Sequence, residues 1–201
     1  MRVFGPFKPV FTTPFFSLEE AAAKGGSSNE PYYRLAGVDS VISCILDQED
    51  RFVMVRQYRP NLEIDTLESP AGGVEAGEAP LAAMQREIFE ESGLRCPLLP
   101  VGDSFRLMMN RTNIKDYLFF GMMPERTPGF TAEPVVEVRR IPRSKLLQMA
   151  LRGEYLQLGA LGLLQLVGGI LNVDMWQSPY EVIEEAFLQQ PDVAYPEASV
   201  Q

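Results

Sequence analysis

The segment 72–94 constrains this chain more than any other stretch, because it fixes a helix and loads one side of it with acid. Pro80 suits a first helical turn, Glu78 places a carboxylate near the positive amino end, and Gly93 is a stop signal. At about 100° per residue, Glu87 and Glu91 lie about 40° apart, with Glu90 about 60° to the other side of Glu87. Three carboxylates thus crowd a sector of about 100° near the carboxyl end, where mutual repulsion and the helix dipole both oppose them. The crowding makes sense if divalent cations sit among the acids. Oxygen-only ligands, with no imidazole or thiolate, select a hard ion, Mg²⁺ or Mn²⁺.

The neighbours of these acids have other work. Leu81, Met84 and Ile88 share a different side of the wheel and are expected to face the core. Arg86, about 100° from Glu87, is expected to tie down a carboxylate such as Glu78. Gly72 and Gly73 form a glycine loop able to bring the Ala71 carbonyl close to a metal. Taken alone, three glutamates would equally well make a solvated acidic face. The offsets of Gly72, Glu78, Arg86 and Gly93 weigh against that reading.

Around this helix the β-rich runs 38–46 and 51–58, separated by the turn-like 47–50, predict an antiparallel hairpin. Further strands are expected over 101–109, 117–122 and 135–141, and a proline-bearing loop over 124–134. Helices are expected over 145–152, 158–171 and 179–189. Strands around one conspicuous helix, with more helices at the end, indicate a mixed sheet in an α/β sandwich. Residues 1–31 are Pro- and Phe-rich and read as an N-terminal extension or arm, with a flexible loop at 24–28. Residues 32–201 then form the main domain.

Composition removes several function classes. Histidine is absent, which excludes Ser-His-Asp and Cys-His catalysis, His-ligated zinc and imidazole bases. Cys44 and Cys96 are too far apart for a zinc knuckle, and Cys44 reads as a buried small hydrophobe. The net charge is −9, with no Lys or Arg after Gly153. Such a surface argues against general nucleic-acid binding. The apolar run 156–171 is 16 residues long and interrupted by Gln157 and Gln165. It falls short of the roughly 20 residues that span a bilayer. No membrane partner is expected, and the proline-broken start lacks a secretory pattern, which predicts a cytoplasmic protein.

Gly72, Glu78, Arg86-Glu87-Ile88, Glu90-Glu91 and Gly93-Leu94 fill every defined position of a 23-residue box. By this box the chain is identified as a member of the Nudix superfamily, whose members hydrolyse a nucleoside diphosphate linked to another group. The runs Val55-Arg56-Gln57-Tyr58-Arg59-Pro60 and Leu67-Glu68-Ser69-Pro70-Ala71-Gly72-Gly73 resemble the ADP-ribose and nucleotide-sugar pyrophosphatase branch. So do Val135-Val136-Glu137-Val138 and Arg152-Gly153-Glu154. One departure is Asn110, standing where many ADP-ribose hydrolases carry a proline.

The resemblance implies a Nudix fold, an α/β/α sandwich with a mixed sheet and an N-terminal extension that serves homodimerisation. It implies Mg²⁺ (or Mn²⁺) held by Glu87, Glu90, Glu91 and the Ala71 carbonyl. Glu133, or failing that Glu137, would be the catalytic base. Arg56 and Arg59 would bind substrate phosphates. The substrate would be ADP-ribose or another nucleoside diphosphate sugar. Other nucleotide classes, dinucleoside polyphosphates or triphosphates, and a non-hydrolytic nucleotide-sugar-binding module remain as alternatives.

Overall fold

The computed structural model describes residues 3–24, 30–130 and 136–196. The chain opens with β1 (Val3–Phe4), β2 (Lys8–Thr12), β3 (Phe16–Ala21), β4 (Ala23–Lys24) and β5 (Tyr32–Gly37). Strands β2, β3 and β5 form an antiparallel sheet of their own, and β1 pairs with β4. The N-terminal residues are thus β-structured, and β5 joins their sheet. Tyr32 packs on Phe4 and Phe7 at ring-centroid distances of 5.4 and 6.4 Å, and the Arg34 guanidinium lies 3.8 Å over the Phe7 ring. Of the predicted flexible loop 24–28, all but Lys24 lies outside the described residues.

The central sheet is built from β6 (Ser40–Leu46), β7 (Arg51–Arg59), β8 (Ile64–Glu68) and β9 (Ala71–Gly73), then, past helix α1 (Pro80–Ser92) and the short β10 (Leu94–Arg95), from β11 (Leu98–Phe105) and β12 (Asp116–Met122). After β13 (Glu125–Arg126), which pairs with β10, comes the last sheet strand, β14 (Glu137–Pro142). The order is β11-β12-β6-β7-β14, with β8 paired to β7 and β9 to β6. Among the described residues only the β12–β6 pairing in this sheet is parallel, so the sheet is mixed.

The predicted β6–β7 hairpin exists, but the two strands pair directly only near the turn, at Ile45↔Val53 and Leu46↔Phe52. Beyond that they part. Strand β6 takes β9 as its neighbour and β7 takes β8. The segment expected as a glycine loop is therefore partly a strand of the sheet: Gly72 pairs with Val41 and Gly73 with Ser40.

Alternation along the strands explains the layers. On β6, Val41 and Ile45 belong to one core, while Ile42, Cys44 and Leu46 belong to another. Val53 faces the first core, and its neighbours Phe52 and Met54 face the second. A strand buried on both faces is apolar nearly throughout, and in 41–46 only Ser43, whose hydroxyl donates to the Pro70 carbonyl, departs from that. Helix α1 covers the first face with Ala83, Met84 and Ile88, and Leu81 is half-buried beside them.

The second face is covered by α2 (Arg143–Leu151), α3 (Leu158–Leu171) and α4 (Tyr180–Leu188). These contribute Leu146, then Ala160, Leu163, Leu164, Val167 and Leu171, then Ile183 and Phe187. The result is an α/β/α sandwich with a mixed sheet. Among the described residues no helix is long and apolar enough to cross a membrane.

Candidate active site

Helix α1 carries the acids, and both of its ends are set by sequence. Pro80 occupies the first turn, where a missing N–H is harmless. Gly93 closes the helix at φ 67°, and its N–H donates to the Phe89 carbonyl. A Cβ there would lie 2.2 Å from Cδ1 of Phe130, so packing adds to the demand for glycine.

The glycine strand lies under the acids. A Cβ on Gly72 would stand 2.0 Å from Cδ and 2.1 Å from Oε1 of Glu87. The carboxylate therefore occupies the space a side chain at 72 would need, and this glycine is required by close approach. One turn on, Glu91 reaches the same strand: its Oε2 accepts the Ala71 N–H at 3.3 Å. Strand β9 and helix α1 are thus joined through two of the three acids.

Arg86 organises the remainder. Its Nε and Nη2 donate to the two oxygens of Glu78, both at 3.0 Å, and Nη2 also donates to the Gly73 carbonyl at 2.9 Å. Its Nη1 meets Glu87 at 2.8 Å and Glu90 at 3.1 Å. The Glu78 hydrogen bonds, with help from Glu87, hold the guanidinium strongly in its charged form. In return Arg86 keeps the Glu78 carboxyl below the usual carboxylate range.

The two inner acids are pushed the other way. Burial raises the Glu87 carboxyl, although Arg86 opposes it. Burial pushes the Glu91 carboxyl up to about 8, against the Ala71 hydrogen bond and with the repulsion of Glu87 and Glu68 behind it. Desolvation of a carboxylate without a full cationic partner has this effect. Among the described residues no three acids already stand as a closed cation cage; Glu87 and Glu90 are turned to Arg86.

Arg56 and Arg59 lie on β7, and the charge of Arg59 acts on Glu91. Arg56 donates to Asp65 at 2.8 Å and stands 3.6 Å from Glu137, lining a depression of about 540 Å³ with Gln57 and Tyr58. Arg59 clasps Glu68 through Nε, at 2.7 Å, and Nη2. Glu137 begins β14, is half exposed, and pairs with Arg139 at 2.7 Å. Glu133 lies outside the described residues.

Sequence reasoning did not single out Glu68, although it stands in the run 67–73, nor the group formed by the buried Ser69 and Tyr155 with the half-buried Gln157. The Ser69 and Tyr155 hydroxyls are 2.9 Å apart, and Gln157 accepts the Ser69 N–H at 2.8 Å. These contacts join positions 86 and 88 residues apart, and no local pattern announces them.

A three-layer sandwich with a mixed sheet, whose box helix is docked on a glycine strand, defines a class of fold. The family profile described as NUDIX domain matches residues 38–157, and the chain belongs to that family. A solved structure described as an ADP compounds hydrolase shares the fold, with a TM-score of 0.70 at 17% identity over 85% of this chain and 94% of that one. A methanol dehydrogenase activator from Bacillus methanolicus is 40% identical over 72 residues, which is 36% of this chain. The match spans 38% of that relative's length.

Proposed function

We propose that the chain is a Mg²⁺-dependent hydrolase of ADP-ribose or a related nucleoside diphosphate sugar, releasing a nucleoside monophosphate and a sugar phosphate. The observation that carries this reading is the seating of Glu87 and Glu91 against β9, with Glu87 in the space that a Gly72 Cβ would fill. A cluster of buried, oxygen-only donors lacking full cationic compensation fits a hard divalent ion. Glu87, Glu90, Glu91 and the Ala71 carbonyl would hold Mg²⁺ or Mn²⁺. When bound, the metal lowers the pKa of water and neutralises charge on phosphoryl oxygens.

The chain's own groups supply the rest. Glu133 or Glu137 takes the proton of the attacking water. Arg56, which is half exposed, and Arg59, through the Nη1 that Glu68 leaves unused, would donate to phosphate oxygens. Arg86 orients Glu87 and Glu90 and, through Gly73, the strand beneath them. Residues 1–31 act as an arm and 32–201 as the hydrolase domain. The arm exposes Phe11 of β2 at 60% and Phe15 of the β2–β3 turn at 82%, an apolar surface suited to a second copy of the chain in a homodimer. The protein is assigned to the cytoplasm.

Turnover with Mg²⁺ should be assayed on ADP-ribose, nucleotide sugars, dinucleoside polyphosphates and nucleoside triphosphates. Preferential release of monophosphate from the first two groups is expected. Preference for triphosphates would overturn the substrate class, and tight binding without monophosphate release would overturn hydrolysis.

A further inference from the structure

A recess of about 320 Å³ is lined by Arg59, Asn61, Thr66 and Glu68, with Leu62, Leu156 and Gln157 completing it, and the charges of Arg59 and Glu68 act on Glu91. The chain itself links it to the acids: Glu68 ends β8, and the next strand begins at Ala71, whose N–H donates to Glu91. The charges in the recess are already matched, because Arg59 holds Glu68 by two parallel hydrogen bonds and Thr66 donates to the same carboxylate.

What remains is neutral and polar. Gln157 Oε1 accepts the Ser69 N–H at 2.8 Å and the Tyr155 hydroxyl at 3.0 Å. A backbone N–H can only donate, so the atom facing Ser69 must be the oxygen, and the amide cannot be flipped. With Oε1 taken by two donors, Nε2 is left without a partner among the described residues, as is the Asn61 amide. Free amide donors and aliphatic side chains around a neutralised ion pair suit a hydroxyl-rich, uncharged group. Neutral donors of this kind match sugar hydroxyls.

We infer that Gln157 is a specificity-determining residue, whose fixed amide donates through Nε2 to the hydroxyls of the sugar half of a nucleoside diphosphate sugar. The inference rests on the hydrolase reading above and deepens it. Tyr155 is a positioning residue, acting through the Gln157 oxygen.

The test uses full-length wild type, Gln157→Ala and Tyr155→Phe. It measures the KM and kcat for ADP-ribose and the competitive inhibition constants of ribose 5-phosphate and AMP. In Gln157→Ala, KM and the ribose 5-phosphate constant should rise together about five- to tenfold, as for one lost hydrogen bond to a neutral group. The AMP constant and kcat should stay within about twofold, as uniform binding loss requires. Tyr155→Phe should shift the same two constants in the same direction by less. A parallel rise in both inhibition constants, or a fall in kcat alone, would indicate a structural role through Ser69 and overturn the inference. So would unchanged constants. Wild-type protein inert towards ADP-ribose and other nucleotide sugars would remove the hydrolase reading itself, a result visible before any variant is made.

Discussion

Replacing Glu91 with glutamine should stabilise the metal-free protein while abolishing turnover. The wild-type carboxyl is largely buried, meets the Ala71 N–H at 3.3 Å, and is pushed from an ordinary 4.5 up to about 8 by burial and by Glu87 and Glu68. An acid whose folded pKa is raised holds its proton more tightly in the folded state than in the unfolded one. Stability therefore falls as pH rises through about 4.5 and levels off above about 8.

At about 1.36 kcal/mol per unit, that shift is worth roughly 3 kcal/mol at pH 7 and up to roughly 5 kcal/mol at pH 9. Water reaching the open side of the site lowers the figure to about 2 kcal/mol. Glutamine keeps an oxygen for the Ala71 N–H and removes the ionisation. Urea denaturation in chelator should show the variant more stable by about 1–3 kcal/mol at pH 9, with the gap closing towards pH 5. Millimolar Mg²⁺ should stabilise wild type and leave the variant unmoved. A variant no more stable at pH 9 than at pH 5, relative to wild type, would refute the burial argument. Equal stabilisation of both proteins by Mg²⁺ would refute the metal role of Glu91.

Two further substitutions separate site from scaffold. Gly72→Ala places a Cβ 2.0 Å from Glu87 Cδ, but the obstructed group is the mobile end of a side chain. The thermal midpoint should therefore drop by only about 2–4 °C, the equivalent of about 1 kcal/mol. Turnover should fall at least about 10–100-fold as Glu87 is displaced; retained activity would show that Glu87 does not need that place. Asp47→Asn tests the turn between β6 and β7. Burial alone would raise this carboxyl, but hydrogen bonds from Arg140 and Arg51 outweigh it and hold it below the ordinary range. Its contribution is present above the unfolded pKa and is lost as pH falls below it. The variant should lose about 2–3 kcal/mol at pH 7, with the difference shrinking below about pH 4. A pH-independent difference in denaturation would contradict this.

What the sequence disclosed, it disclosed through local rules. Pro80 and Gly93 bracket α1, and the wheel positions of Met84 and Ile88 match their burial, because a helix end and a helix face are properties of a few consecutive residues. The β-rich runs 38–46 and 51–58 announced the strands β6 and β7 and the turn between them. What stayed hidden depends on distant pairing. Nothing near Ala71 or Gly72 indicates that β9 will pair with β6 where that strand parts from β7. The Pro- and Phe-rich start gives no clean period, yet the exchange of hydrogen bonds between β3 and β5 makes it a sheet. Gln157 looked like an interruption of an apolar helix; its partner Ser69 is 88 residues away.

The claim on which the account turns is that the acids of α1 bind a divalent ion. The most direct measurement titrates Mn²⁺ into chelator-treated protein and follows the free-ion signal by electron paramagnetic resonance, for wild type and for the combined Glu87→Gln, Glu90→Gln, Glu91→Gln variant. Wild type should withdraw Mn²⁺ from solution and release it to excess Mg²⁺, while the folded variant should leave the signal at its buffer value. Mn²⁺ uptake by the variant equal to that of wild type would contradict the account.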